Sequence, residues 1–223
     1  MNKSKLALRY LIREPGIKGR TPPPLLLLLH GVGSNEEDLF GLAPYMDERF
    51  MVVSARAPVA LEYGGYGWFR IEFTPRGMAA DVEQARQSLE LLPGFIDGLI
   101  EAHGADDRRV YLAGFSQGAM MSLAVLLTRP EMVAGVVAMS GRLPVQALER
   151  EPDRGLLKGK PVLVTHGLYD PVLPVEQGRL ARDYLEELSV ELTYREYPMA
   201  HEVSMESLRD VSRWLTEALD AER

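Results

Sequence analysis

Two kinds of hydrophobic pattern alternate along the chain. Short apolar runs predict strands at residues 6–12, Leu25–Leu29, 50–55, Val110–Phe115, Gly135–Met139, 161–165 and 190–197. The run Leu25–Leu29 is apolar at every position, so both of its faces need cover, as in a buried parallel strand. Pro15 and Gly16 end the first strand, and Pro22-Pro23-Pro24 stiffens the approach to the second. Between these runs, apolar residues recur at helical spacing. Ser34 and Glu37 stand at capping-box spacing and predict a helix reaching about Met46. Ala85, Leu89, Leu92, Ile96 and Leu99 mark a helix over 83–100, with Pro93-Gly94 as a kink. Gln117–Thr128 is apolar nearly all round and predicts a buried helix. Further helices fall at 174–188 and 204–219. Strands alternating with helices mean βαβ units: an α/β fold with a mainly parallel central sheet flanked by helices.

Two stretches break the pattern. Residues 141–160 are rich in Pro, Gly and charge and read as a surface excursion. Residues 56–77 hold Tyr63, Tyr66, Trp68, Phe69 and Phe73, five of the seventeen aromatics, so this loop covers a core or walls a pocket. No tandem repeat and no Gly/Ser linker divides the chain, which reads as a single domain over 1–223 with no separate cap domain.

Composition narrows the chemistry. Thirty-two acidic against twenty-five basic residues give a formal charge of −7, and the twenty arginines are scattered, so no nucleic-acid footprint is expected. The absence of cysteine excludes thiol catalysis, disulfides and thiolate-bound metal. The first thirteen residues lack a continuous apolar stretch, and the longest apolar run is five residues. A cytoplasmic protein with no targeting segment and no membrane span is therefore expected.

The strongest chemical signal is Gly114-Phe115-Ser116-Gln117-Gly118. A five-residue match alone is weak. Its position between a predicted strand and a predicted helix is that of a nucleophile elbow, where serine sits on a sharp turn and a side chain two residues away on either side would collide. A serine hydroxyl needs a base. Of the four histidines only His166 and His201 lie downstream of Ser116, and in the elbow arrangement acid and base follow in that order. Asp170 falls in the loop after one strand and His201 in the loop after the next, which brings both to the carboxyl edge of the sheet. Ser116, Asp170 and His201 are the candidate catalytic residues. His30-Gly31-Val32-Gly33 leaves the strand Leu25–Leu29 toward the same edge, so the Val32 and Gln117 amides are the candidate oxyanion hole. His30 and His166 read as scaffold residues, and His103 as the end of a helix. Other motifs fail: Met205 stands where a zincin needs its second histidine, Glu36 where a dinucleotide fingerprint needs its third glycine, and no Walker loop occurs. No metal or other cofactor is expected.

These residues resemble the α/β-hydrolase superfamily, and within it the phospholipase/carboxylesterase family that includes acyl-protein thioesterases and lysophospholipases. The resemblance rests on Leu29-His30-Gly31-Val32-Gly33, Gly67-Trp68-Phe69, the segment around Ser116, His166 to Pro174, and Ala200-His201. It departs from the family at Arg70, where Asp is common, at Pro198-Met199-Ala200 before the histidine, and in the insertion Tyr63-Gly64-Gly65-Tyr66. The resemblance implies the α/β-hydrolase fold and a Ser-His-Asp triad at Ser116, His201 and Asp170. It implies hydrolysis of a small-molecule carboxylic ester through an acyl-enzyme. A thioesterase or lysophospholipase on the same triad is the neighbouring alternative, and a non-catalytic binding protein on the same fold the distant one. With no stretch left over for a helical lid, the aromatic loop, Trp68 and Phe69 foremost, is expected to wall a partly open pocket for short to medium acyl chains. Its exposed apolar residues also leave room for a homodimer.

Overall fold

The computed structural model describes residues 6–17, 19–74, 77–144, 148 and 151–221, with only the backbone for 72–74, 77 and 78. Its elements in chain order are β1 (Tyr10–Arg13), β2 (Leu25–Leu29), α1 (Glu36–Phe40), β3 (Met51–Ala55), β4 (Val59–Ala60), β5 (Tyr66–Gly67), β6 (Ile71–Thr74), β7 (Gly77–Ala80), α2 (Val82–His103), β8 (Val110–Phe115), α3 (Gln117–Thr128), β9 (Gly135–Met139), α4 (Arg154–Leu157), β10 (Pro161–Gly167), α5 (Val175–Glu187), β11 (Glu191–Tyr197) and α6 (Met205–Ala221).

Seven strands form one sheet in the order β1-β3-β2-β8-β9-β10-β11. All neighbours are parallel except the edge strand β1, which runs antiparallel to β3 with Tyr10 opposite Ala55. The run of five leucines is β2, an interior strand of the sheet, fully buried. Its period-2 alternation splits the core. Leu25, Leu27 and Leu29 pack with apolar residues of α2 and α3 on one face, whereas Leu26 and Leu28 pack with Leu208, Val211, Leu215 and Leu219 of α6 on the other. Burying each leucine contributes roughly 1.5–3 kcal/mol, so this strand anchors the domain's two faces at once.

The strand order also locates the site. From β2 the chain crosses to β3 on one side, then returns past β2 to place β8 on its other side. Between β2 and β8 the direction of winding reverses. The loops leaving their carboxyl ends part there and open a crevice.

Several elements differ in detail from the pattern-based expectations. The first helix is capped by Asn35, whose Oδ1 accepts the Glu37 N–H at 2.7 Å, while Ser34 Oγ donates to Asp38 instead. It ends at Phe40 before Gly41, and a separate turn of 3₁₀ helix follows at Ala43–Tyr45, beginning beside Pro44. Helix α2 runs without interruption through Pro93 from Val82 to His103. The aromatic stretch is two small hairpins, β4–β5 and β6–β7. The side chain of Phe73 lies outside the described residues, as do 145–147 and 149–150 of the expected surface excursion. The excursion's described part contains the short helix α4.

Candidate active site

Ser116 stands between β8 and α3 with φ 54° and ψ −114°, a backbone conformation that side chains rarely adopt. The surrounding glycines permit it. A Cβ at Gly114 would run into the Gly118 carbonyl, and one at Gly118 would run into the Leu29 carbonyl of β2. The elbow is therefore pressed against β2 at a distance only glycine allows. Ser116 itself is 7% exposed, and its N–H donates to the Met139 carbonyl at 2.9 Å, which ties the turn to β9. The N-terminus of α3 points its first-turn amides at this corner, so negative charge developing there is favoured.

The loops after β10 and β11 are interlocked. Leu168 N–H donates to the Tyr197 carbonyl at 2.8 Å and Tyr169 N–H to the Met199 carbonyl at 3.1 Å. Gly167 is needed at this crossing, because a Cβ there would strike the Met199 and Ala200 carbonyls. These contacts deliver Asp170 and His201 to one another. His201 Nδ1 donates to Asp170 Oδ2 at 2.6 Å, and His201 Nε2 lies 3.0 Å from Ser116 Oγ. Asp170 is buried, and its other oxygen accepts the Val172 and Leu173 N–H groups at 2.8 Å each. A carboxylate only accepts, so the Nδ1 position of His201 carries the proton. Its Nε2 lone pair then faces the serine hydroxyl. The Phe115 ring packs against the imidazole with centroids 4.9 Å apart. The three residues singled out from the motif order thus form one hydrogen-bonded chain.

His30 and His166 hold scaffold. His30 Nε2 accepts the Ala57 N–H at 3.0 Å, so its Nδ1 donates to the Gly31 carbonyl at 2.7 Å. Burial lowers its pKa, which keeps it neutral in this bracing role. His166 is fully buried and donates from Nε2 to the Leu173 carbonyl at 2.8 Å.

A cavity of about 160 Å³ opens beside Ser116. Gly31, Val32, Ser116, Gln117 and His201 line its reactive side, and Phe69, Ile71, Ala80, Phe115, Met120, Val172, Leu173 and Arg142 line the rest. Val32 and Gln117, the expected oxyanion-hole residues, therefore flank the serine. Of the two aromatics expected to wall the pocket, Phe69 does so and Trp68 does not. The Trp68 side chain is entirely buried, and its indole Nε1–H donates to the His30 carbonyl at 3.0 Å, which turns the ring into the core beneath the β2 loop. Tyr63 is exposed at 74%.

Motif reading passed over several residues of this cavity. The Gln117 side chain accepts the Trp68 N–H at 2.9 Å through Oε1 and donates to the Phe69 carbonyl at 2.8 Å through Nε2. Met120 lies four residues after Ser116 on the same helix face, a spacing that carried the signal. Arg142 fell in the stretch read as surface, and no sequence signal marked it. Among the described residues no cluster of three or more His, Asp or Glu side chains is placed to hold a metal ion. No helix among them is long and apolar enough to cross a membrane.

The phospholipase/carboxylesterase family matches residues 17–219. The chain belongs to this family. A probable carboxylesterase, SOBER1-like, of Arabidopsis thaliana is 28% identical over 99% of this chain and 87% of its own length. Acyl-protein thioesterase 1 of Kluyveromyces lactis is 30% identical over 91% of this chain and 95% of its own. The crystal structure of a Bacillus cereus carboxylesterase superposes with a TM-score of 0.83 at 25% identity, covering 97% of each chain. As a family member the protein is an α/β-hydrolase-fold serine hydrolase acting on carboxylic esters.

Proposed function

We propose that the protein is a carboxylesterase for esters of short to medium acyl chains, working through Ser116, His201 and Asp170. The observation that carries this reading is the continuous chain Ser116 Oγ, His201 Nε2, His201 Nδ1, Asp170 Oδ2, with links of 3.0 and 2.6 Å, at the mouth of an apolar cavity. Ser116 Oγ attacks the acyl carbonyl as His201 Nε2 takes its proton. Asp170 holds the Nδ1 tautomer and stabilises the imidazolium. The oxyanion is met by the Val32 and Gln117 amides. His201 returns the proton to the leaving alcohol. A water, activated by the same imidazole, then releases the acid and frees Ser116.

Cavity size supports the chain-length part. An apolar cavity of about 150 Å³ holds a molecule the size of benzene, so 160 Å³ suits an acyl group of similar bulk. Each buried CH₂ contributes at most about 0.8 kcal/mol, so kcat/KM should climb with chain length and level where the wall ends. p-Nitrophenyl esters from acetate to palmitate, run on wild type and on Phe69→Ala, test this. Phe69→Ala should move the optimum to longer chains. An optimum at palmitate in wild type, or an unchanged profile in the variant, would refute the pocket assignment. Relatives named acyl-protein thioesterase favour a second reading, a thioester substrate on the same triad. Matched oxygen esters and thioesters separate the two.

A further inference from the structure

One charged side chain lines the cavity without a counter-charge. Arg142 is half-buried and follows β9 by way of Ser140 and Gly141. Its backbone is held in place. Ser140 has φ 48° and donates its N–H to the Thr165 carbonyl at 2.8 Å, and a Cβ at Gly141 would come within 2.6 Å of the Ala119 Cβ at the start of α3. The chain is therefore pressed onto the first turn of the helix that follows Ser116, and Arg142 has little freedom to leave.

Among the described residues, no carboxylate pairs with Arg142 and no hydrogen-bond acceptor holds it. No acidic residue lines the cavity. Two further depressions adjoin it: an apolar recess reaching Val82, Ala85 and Ala124, and a surface hollow with Asp183 and Glu187 on its rim. Arg142 alone lines all three. Packing of the cavity wall does not by itself call for a guanidinium here. The fork of N–H donors matches a carboxylate, and a partly desolvated wall strengthens that contact.

We infer that Arg142 is a specificity-determining residue that recognises a free carboxylate on the substrate, so that the preferred ester carries an anionic group in addition to the bond that is cut. This rests on the esterase reading above. The carboxylate belongs either to the acyl part, as in a monoester of a short dicarboxylic acid, or to the alcohol part, as in an acylated hydroxy acid.

Matched pairs of substrates, followed by acid release, test it. Monoethyl glutarate against ethyl pentanoate places the charge on the acyl side, and butyrylglycolate against its methyl ester places it on the alcohol side. One pair should favour the anionic member by about tenfold or more in kcat/KM, chiefly through KM. Arg142→Met should bring that ratio close to one. Arg142→Lys should keep part of it, since charge remains while the fork is lost. The ratio should also shrink in 1 M salt, where screening acts over about 3 Å. A readout independent of turnover is calorimetric binding of the two anionic esters to Ser116→Ala, with and without Arg142→Met, where the second change should weaken the favoured ester at least tenfold. Ratios near one for both pairs in wild type, or a ratio indifferent to Arg142→Met, would overturn the inference and return the guanidinium to Asp183 and Glu187. No hydrolysis of any ester, alongside Arg142-dependent binding of a carboxylate, would overturn the esterase reading, and with it the ester preference, while leaving Arg142 as a carboxylate-binding residue.

Discussion

Replacing Asp170 with Asn changes one atom and should reverse the chemistry of its neighbour. In the native site Oδ1 accepts the Val172 and Leu173 N–H groups at 2.8 Å each, and Oδ2 accepts His201 Nδ1–H at 2.6 Å. An asparagine must choose where to put its NH₂. Turned toward the backbone, it would confront two donors and leave both without an acceptor, at about 1–3 kcal/mol for each buried group, or roughly 2–6 kcal/mol together. Turned toward His201, it keeps both backbone hydrogen bonds and donates to Nδ1. The second orientation wins. His201 must then carry its proton on Nε2, facing Ser116 Oγ, and the lone pair that accepts the serine proton is gone. In Ser-His-Asp sites this loss of tautomer is worth about 10⁴ in kcat, or about 5.5 kcal/mol of barrier. The fold should survive, because the loop keeps its hydrogen bonds. Steady-state hydrolysis of p-nitrophenyl butyrate, alongside circular dichroism and a thermal midpoint, measures both. A folded Asp170→Asn protein retaining kcat within tenfold of wild type would refute the argument that Asp170 sets the His201 tautomer.

Three other outcomes are expected. A fluorophosphonate probe should label Ser116, and Ser116→Ala should lose the label and about six orders of magnitude in kcat; labelling at another serine would reject the nucleophile assignment. Burial by itself raises the Glu36 carboxyl, but the hydrogen bond from Arg56 at 2.7 Å and the charges of Arg56 and Arg9 outweigh it, so its pKa lies below the usual carboxylate range. A depressed folded pKa stabilises above the ordinary value near 4.3 and loses that contribution as pH falls through the folded value. Glu36→Gln should therefore lower the urea midpoint at pH 7 and converge with wild type in strong acid; parallel curves at all pH would contradict this. Gly65 has φ +72°, and a Cβ there would strike the Gly33 carbonyl, so Gly65→Ala should shift the strand-end loop that carries Val32 and reduce kcat about 10²-fold at little change in KM; a wild-type kcat would disconnect that hairpin from the oxyanion hole.

Where the chemistry is local, the sequence was readable. The elbow needs small residues on both sides of Ser116, and the close approaches at Gly114 and Gly118 explain why both positions are glycine. The parallel core was legible because β2 is apolar on both faces. The failures share one cause: contacts distant in sequence. Trp68 and Phe69 are adjacent and both aromatic, yet one faces the core and the other the cavity, because the Trp68 indole N–H is held by the His30 carbonyl, far away along the chain. Spacing places the cap of the first helix at Ser34, but Asn35 caps it while Ser34 pairs with Tyr66 of β5 across an isolated bridge. Arg142 sits in a charged, Pro-rich stretch that resembles any surface loop. Only the packing of Gly141 on α3 brings it to the cavity.

The two hydrogen bonds of the Gln117 side chain end on main-chain atoms, the Trp68 N–H and the Phe69 carbonyl, and Ser88 Oγ likewise grips the Trp68 carbonyl. Gln117, which follows Ser116, thus grips the rim of the cavity through main-chain atoms alone. A change of side chain at position 69 would consequently alter the cavity wall and the core beside it while leaving these main-chain hydrogen bonds in place. Position 117 has no such latitude, because one substitution there would loosen the rim and the frame together. A lineage adapting to new esters on this scaffold would be expected to vary the first position and hold the second.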